Sequence, residues 1–189
     1  MAEPFRLVTP APVYLPAYRA ALEAGWSPDN VLGNLAAHRE LDRIDRDAIA
    51  FLMSLDDPTA KGPPVAMKDG TTRPRLPGYR RWMWDGAFCG SIGFRWQQGT
   101  NEMPDYCPGH IGFAVVPWKR GHGYAAQALR ALLPDARARG LAHVDLTTDE
   151  DNIASRRTIE ACGGELIGNF EKDAGDGGGP CARYRIMLR

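Results

Sequence analysis

The sequence has no apolar stretch long enough to cross a bilayer, and its N-terminal residues lack a basic segment followed by an apolar core. It also lacks an excess of charge of either sign, since Lys plus Arg and Asp plus Glu number 23 each. A chain of zero net charge has no global attraction to nucleic acid or to an anionic membrane. We therefore expect a cytoplasmic protein that has neither nucleic acid nor membrane as a partner.

Closely spaced cysteines are missing as well. The four cysteines, Cys89, Cys107, Cys162 and Cys181, include no Cys-x-x-Cys pair, which argues against a zinc knuckle or a redox dithiol. Cys107 and His110 are close in sequence, but two ligands without a second pair rarely form a metal site. We expect reduced, structural cysteines and no bound metal.

The chain length favours one domain, because 189 residues with 44% hydrophobic content can bury one sizeable core. Apolar spacing and turn residues predict a mixed order of strands and helices, which gives an α/β (α+β) fold class. The predicted strands are 5–8, 79–84, 87–96, 111–116, 143–148, 165–170 and 182–188, with a tight hairpin turn at Asp85-Gly86. The predicted helices are 11–25, 38–55, 123–140 and 152–162, and Gly140 is the predicted C-terminal cap of the third. Residues 57–78 are predicted to be irregular, and Pro134 is expected to kink its helix.

The hexapeptide Arg120-Gly121-His122-Gly123-Tyr124-Ala125 stands between an apolar strand and a helix. At such a junction the first amides of the helix have no intrahelical partner, and the helix dipole adds partial positive charge. The glycines allow close approach of a phosphorylated ligand. Glycine loops also serve as ordinary turns, so the hexapeptide alone does not decide between the two interpretations.

A second motif follows the next predicted strand. Arg120-x-x-Gly123-x-Ala125 fits the pyrophosphate-loop pattern of the GNAT family of N-acetyltransferases, and Asn152-x-x-Ser155 with two arginines and a later Gly-Gly resembles its second cofactor motif. The strand that begins His110-Ile-Gly-Phe is also similar to strands of this family. The order and separation of the motifs fit, and the resemblance covers about residues 79–189.

This resemblance implies a single GNAT-like domain over residues 1–189, with a mixed, mostly antiparallel central sheet, splayed central strands and flanking helices. Residues 1–56 would form the acceptor side, and residues 79–189 the acyl-CoA-binding core with a C-terminal hairpin. The implied activity is transfer of the acetyl group of acetyl-CoA to an unidentified primary amine by direct attack, without a metal. The oligomeric state stays open, with a homodimer as one possibility.

The resemblance also implies a set of cofactor contacts. Loop amides and Arg120 would hold the diphosphate, and backbone groups of the central strand would pair with the pantetheine arm. Asn152 has the alternative of being a helix cap. The predicted acetyl-CoA contacts are Phe113, Val115, Val116, Arg120, Gly121, His122, Gly123, Tyr124, Ala125, Asn152, Ser155 and Arg156.

The predicted catalytic residues are Ser155, His110 and Glu102. Many members of the family place a tyrosine acid at a position that is Ile159 here, so Ser155 is the replacement candidate for proton donation to the leaving sulfur. His110 and Glu102 are candidate bases, with Asp105 and Glu150 as alternatives. His110 could equally be a structural histidine.

Two other classes of protein compete with the enzyme. Ile159 in place of tyrosine also permits a non-catalytic acyl-CoA-binding sensor. A phosphate-binding NTPase is disfavoured, because the loop lacks the Gly-Lys-Ser/Thr ending that holds phosphate and Mg²⁺. The sequence does not identify the acceptor, because the residues expected to surround it belong to the N-terminal helices and to the connections 61–78 and 171–180.

Overall fold

The computed structural model describes residues 3–29, 32–67, 70–172 and 178–188. Its elements in chain order are β1 (Arg6–Val8), α1 (Leu15–Glu23), α2 (Asn34–Arg46), α3 (Ala48–Ser54), β2 (Asp56–Asp57), β3 (Val65–Ala66), β4 (Thr72–Arg73), β5 (Gly78–Trp84), β6 (Phe88–Arg95), β7 (Ile111–Val115), α4 (Tyr124–Ala138), β8 (His143–Asp149), α5 (Ile153–Glu160), β9 (Gly164–Glu171) and β10 (Pro180–Met187). The mixed α/β (α+β) class is confirmed. Parts of the connections predicted to wall the acceptor, residues 68–69 and 173–177, lie outside the described residues.

The strands form two main sheets, in which all paired strands are antiparallel. One has the order β1-β5-β6-β7, with β2 also paired to β5, and the other has the order β8-β10-β9. The predicted hairpin around Asp85-Gly86 and the predicted C-terminal hairpin are both confirmed, as β5-β6 and β9-β10. The two sheets meet where β7 lies beside β8, and this junction carries the candidate site described below.

Helices cover both faces of the first sheet, because the residues of its strands alternate between two apolar faces. On one face α4 contributes Ala128, Leu129, Leu132 and Ala136 to a core that also contains residues of β6, β7 and β8. On the other face α1, α2 and α3 pack around Tyr18, whose ring stacks on Trp82 of β5 at 4.4 Å. This arrangement fixes α4 behind the end of β7.

The prediction of one continuous helix over 38–55 is wrong. Residues 34–54 form two helices, α2 and α3, which are separated at Asp47. Asp47 adopts an extended backbone (φ −162°, ψ 96°), and its carboxylate accepts a hydrogen bond from the Ala50 amide at 2.9 Å. The apolar stripe continues across the break, which is why periodicity alone predicted one helix, while the capping preference of Asp ends it.

One further difference concerns residues 57–78, whereas Pro134 lies inside its predicted helix. The connection predicted to be irregular contains the short strands β3 and β4, and Asp57 accepts hydrogen bonds from the Lys61 and Gly62 amides at 2.9 and 2.8 Å. Helix α4 continues through Pro134 to Ala138. None of the helices in the described ranges has both the length and the hydropathy to span a membrane.

Gly90 in β6 should tolerate substitution less than the other residues of β6 that pair with β7. It lies opposite Val115 with φ of 150°, and a Cβ there would stand 2.3 Å from the Ala114 carbonyl oxygen and 2.8 Å from the Val115 Cα. Because both obstacles are backbone, Gly90→Ala should lower the free energy of unfolding by more than about 2 kcal/mol. Urea denaturation measures the loss.

Gly93 on the same strand is the matched control. A Cβ at Gly93 would meet its nearest neighbour, the Tyr79 carbonyl oxygen, at 3.8 Å. Gly93→Ala should therefore change the free energy of unfolding by less than about 1 kcal/mol, since it reduces chain entropy in the unfolded state without a clash. Similar losses for the two variants would contradict the close approach of β6 and β7 at Gly90.

Candidate active site

The junction between β7 and β8 is closed at one point by His110, which directly precedes β7. The His110 amide donates to the Asp145 carbonyl oxygen at 2.7 Å, and the Asp145 amide donates to His110 Nδ1 at 3.0 Å. The imidazole is fully buried. At this point the two strands are therefore linked by two hydrogen bonds between His110 and the Asp145 backbone, one from the His110 amide and one to its side chain, and not by a ladder of backbone hydrogen bonds.

Beyond this contact no further hydrogen bond joins the two strands over the described residues, which agrees with the predicted splaying of the central strands. Among the described residues β7 pairs with β6 alone and β8 pairs with β10 alone. The Val116 amide donates to Cys89 of β6 at 3.0 Å, so by strand alternation the backbone groups of Phe113 and Val115 point to the opposite edge. These two residues offer hydrogen-bonding groups to the gap between β7 and β8. Val116 does not, and the direction of its amide argues against its predicted cofactor contact.

The glycine loop, Arg120 to Gly123, follows β7 after a 3-10 turn and leads directly into α4. Gly121 and Gly123 have φ of 79° and 71°, a region that other residues rarely adopt. No side chain caps α4, and no amide from Gly121 to Ala125 donates to another group in the described ranges. A row of unpaired amides at the positive end of a helix fits a diphosphate. The Arg120 guanidinium is exposed beside them.

A carboxylate from another element contacts both flanks of the loop. Asp85, in the turn between β5 and β6, accepts hydrogen bonds on Oδ2 from Lys119 Nζ at 2.7 Å and from the Tyr124 hydroxyl at 2.6 Å. Partial burial of Asp85 works against ionisation, but these two donors prevail and lower its pKa to about 2. The same contact raises the pKa of Tyr124 to about 12. We assigned Asp85 only to a hairpin turn from the sequence, where no signal linked it to the loop.

Helix α5 begins at the far end of β8 and carries the second motif. Asn152 is its N-cap, because the side-chain oxygen accepts from the Ser155 amide at 3.1 Å, so the capping alternative is confirmed. Ser155 is half-buried in the first turn. The cap leaves the side-chain amide NH₂ of Asn152 and the hydroxyl of Ser155 as separate polar groups at the first turn of the helix.

Arg156 is engaged away from the glycine loop. Its Nε donates to the Tyr184 hydroxyl at 2.9 Å, and its Nη1 donates to the Glu150 carbonyl oxygen at 3.1 Å. The Tyr184 hydroxyl in turn donates to Glu160 at 2.9 Å. This network ties α5 to β10, which favours a structural role for Arg156 over its predicted cofactor contact.

The predicted catalytic residues lie toward opposite ends of β8. Glu102 is exposed and near Arg185, whose guanidinium pairs with Asp145 at 2.7 Å beside the His110 contact. Ser155 lies past the other end of the strand, and Asp145 and Asp149 alone are separated by about 13 Å of extended chain. Burial of His110, together with its occupied Nδ1, favours a structural role over that of a base.

Three more observations complete the description of the site. Ile159 occupies the position where many members of the resembled family have a tyrosine acid. It is buried against Gly164 and belongs to the core. A cavity of about 460 Å³ lies next to the start of α5 and is lined by Asp149, Glu150, Asp151, Gly178, Gly179 and Pro180. Within the described ranges no three His, Cys, Asp or Glu side chains converge as a metal site would require.

Comparison with known proteins gives a family and a fold. A family model described as an acetyltransferase (GNAT) domain matches residues 43–165, more than half of the chain. No curated protein matches the chain significantly in sequence.

Three solved structures share the fold at low sequence identity. The microcin C7 self-immunity acetyltransferase MccE, in complex with acetyl-CoA and AMP, is 14% identical with a TM-score of 0.65 over 97% of this chain and 92% of its own. An acetyltransferase of Salmonella typhimurium that modifies the N-terminal serine of ribosomal protein L7/L12 is 13% identical, with a TM-score of 0.64 over 100% of both chains. YncA of Salmonella typhimurium, with acetyl-CoA, is 14% identical with a TM-score of 0.55 over 98% of this chain and 94% of its own.

The contact at His110 makes a prediction about pH. Burial lowers the pKa of His110, although attraction by Asp145 opposes this, and His143 and Arg95 add to the lowering. The native protein then binds fewer protons than the unfolded chain, so this contribution to stability is complete above the unfolded pKa of about 6.5 and is lost as the pH falls below it. Urea midpoints of the wild type should decrease from pH 7 to pH 5.

The variants His110→Asn and His110→Leu distinguish the loss of a hydrogen-bond acceptor from the loss of a titratable group. The Asn oxygen can accept from Asp145 in place of Nδ1, whereas Leu leaves that buried amide unpaired at a cost of about 1–3 kcal/mol. Both variants should show a smaller loss of stability than the wild type between pH 7 and pH 5. An unchanged pH dependence in both would assign the effect to other groups.

Proposed function

The chain belongs to the GNAT acetyltransferase family, and we propose that it transfers the acetyl group of acetyl-CoA to a primary amine by direct attack. The observation that carries this proposal is the gap between β7 and β8, which opens from His110 toward the glycine loop. An extended arm anchored by a diphosphate at the loop can run back along β7 as an added strand would. MccE and YncA were both solved with acetyl-CoA, which agrees with this donor.

Most of the predicted donor contacts have a definite part in this proposal, and Val116 and Arg156 do not. The amides from Gly121 to Ala125 would bind the diphosphate, because they are unpaired and lie at the start of α4, and the exposed Arg120 guanidinium beside them would add a charged contact. Phe113 and Val115 would pair through their backbone with the amides of the arm. Asn152 would add its side-chain NH₂ while its oxygen caps α5.

The chemistry places unequal demands on the protein. Attack forms a bond from the amine nitrogen to the acetyl carbon, and the bond from that carbon to sulfur breaks. An amine of pKa near 10.4 costs about 4–5 kcal/mol to deliver neutral at pH 7, whereas protonating a thiolate of pKa near 8.5 gains only about 2 kcal/mol. A base or a relay water therefore matters more than an acid, and Ser155 would act mainly as a hydrogen-bond donor to the sulfur.

The acceptor side would be formed by residues 1–56 and by the cavity at the start of α5. Asp149 already pairs with Lys172, so Glu150 and Asp151 are the carboxylates that would attract a cationic amine before the amine loses its proton. Glu102 lies at the other end of β8, so Glu150 is the better placed of the two carboxylates for an amine that enters through this cavity.

The first test asks whether the donor binds and reacts. Acetyl-CoA should raise the melting temperature, because a ligand that binds only the native state stabilises it by mass action. A panel containing a polyamine, single amino acids and a peptide with a free N-terminus should then include an acceptor that releases CoA thiol above background. Thermal protection without release by any amine would favour an acyl-CoA-binding sensor, and absence of protection would contradict the proposal.

The second test concerns Ser155. Ser155→Ala keeps the α5 cap, since the cap uses the Ser155 amide, and it should lower kcat by about tenfold or more by removing a hydrogen bond to the leaving sulfur. Thr158→Val is the matched control, because its hydroxyl already donates to the Ala154 carbonyl oxygen within the helix at 2.8 Å. Equal kcat in the wild type and Ser155→Ala would remove Ser155 from the reaction.

A further inference from the structure

Asp85 contacts the two residues that flank the glycine loop. Its single oxygen Oδ2 accepts from Lys119, which directly precedes Arg120, and from Tyr124, which directly follows Gly123. The Asp85 side chain is only 9% exposed, and Lys119 is 26% exposed. One carboxylate oxygen therefore fixes the distance between the start and the end of the loop.

The loop has few other restraints of its own. Gly121 and Gly123 have no atom within 4 Å of the position of a Cβ, and the residues between Arg120 and Gly123 are exposed. The other contacts of the loop among the described residues are local. His122 Nδ1 contacts the Arg120 carbonyl oxygen at 2.9 Å and the His122 ring stacks on Tyr124 at 5.6 Å between centroids, while Arg120 bonds through its amide to Pro117 at 3.3 Å and through Nε to Val115 at 3.4 Å. Its conformation depends mainly on how its two ends are held.

The Asp85 contact is itself well supported. The Ala87 amide donates to Oδ1 of Asp85 at 3.2 Å, which orients the carboxylate within the hairpin turn. The Phe5 ring stacks on Tyr124 with 5.2 Å between centroids and 15° between planes. Two parts of the chain distant in sequence, the residue before β1 and the β5-β6 turn, thus hold the first residue of α4.

The charges explain how an acidic residue can lie this close to an anion site. Lys119 forms an ion pair with Asp85, so the pair is neutral as a whole and does not repel a diphosphate. Lys119 also directs its ammonium group to Asp85, which leaves Arg120 and the loop amides as the groups that face the ligand.

We infer that Asp85 is a positioning residue for the donor: through Lys119 and Tyr124 it holds the glycine loop in the conformation that binds a diphosphate. This inference rests on the proposed function. Asp85 itself touches no part of the donor in this arrangement. Its loss should weaken binding of ligands that carry a diphosphate, and pantetheine, which lacks one, should be affected much less.

The test uses variants that keep the charge balance. Tyr124→Phe removes one donor to Asp85 and keeps the stack on Phe5, and the pair Asp85→Asn with Lys119→Met removes the ion pair without changing net charge. The dissociation constant of CoA, measured by titration calorimetry, should rise about fivefold for Tyr124→Phe and at least about tenfold for the double variant. Pantetheine, measured by ligand-observed NMR at millimolar concentration, should lose less than about twofold.

A matched control exists at the other end of α4. The Tyr79 hydroxyl donates to Asp135 in the same kind of Tyr–Asp contact, about 16 Å along the helix from Tyr124. Tyr79→Phe should leave the ratio of the two dissociation constants as in the wild type. A merely structural role of Asp85 would weaken CoA and pantetheine equally, and such a result, or an unchanged CoA constant, would overturn the inference. A wild type that fails to bind CoA would instead contradict the proposed function.

Discussion

The arrangement of the candidate site depends on one constraint, which is that β7 and β8 are joined at His110 and nowhere else along their described length. Two strands that are hydrogen-bonded at one end and separated at the other leave an edge of unpaired backbone groups between them. Such groups are costly to leave without partners, so the gap requires either water or a ligand with its own amides. The glycine loop and α5 lie at the open end of this gap because each directly follows one of the two diverging strands.

The sequence was sufficient for those parts of the fold that local chemistry decides. Apolar alternation, the Asp85-Gly86 turn and Gly140 after α4 predicted most strands and helices, because each signal acts within a few residues. The break at Asp47 escaped prediction, since its extended backbone and its cap are compatible with the same apolar stripe as an unbroken helix. The strands β3 and β4 are two residues each, which is too short for any period to register.

The candidate site was predictable where it consists of backbone and not where it depends on long-range side-chain contacts. Glycines 121 and 123 identify the loop because only their conformational freedom permits it. Asp85 is separated from Lys119 by 34 residues, and nothing in the local sequence distinguishes a carboxylate that ends a hairpin from one that also holds a loop. The intrinsic pKa of histidine made His110 a candidate base, whereas its burial and its two hydrogen bonds with Asp145 are properties of the tertiary structure.

The N-terminal helices are held to the same sheet by a different kind of contact. Arg80 of β5 donates from Nη1 to Glu40 of α2 at 2.8 Å and to the Tyr18 hydroxyl of α1 at 3.1 Å, and the Tyr18 hydroxyl donates to Glu40. Burial raises the pKa of Tyr18 well above its usual value, so the hydroxyl remains a donor at any physiological pH. A buried charged pair with a third partner tolerates little rearrangement, because removing any member leaves an unpaired polar group in the core. The packing of α1 and α2 on β5 therefore depends on all three side chains. Under the proposed function, differences in acceptor preference would be carried more easily by exposed side chains on these helices than by a shift of the helices themselves.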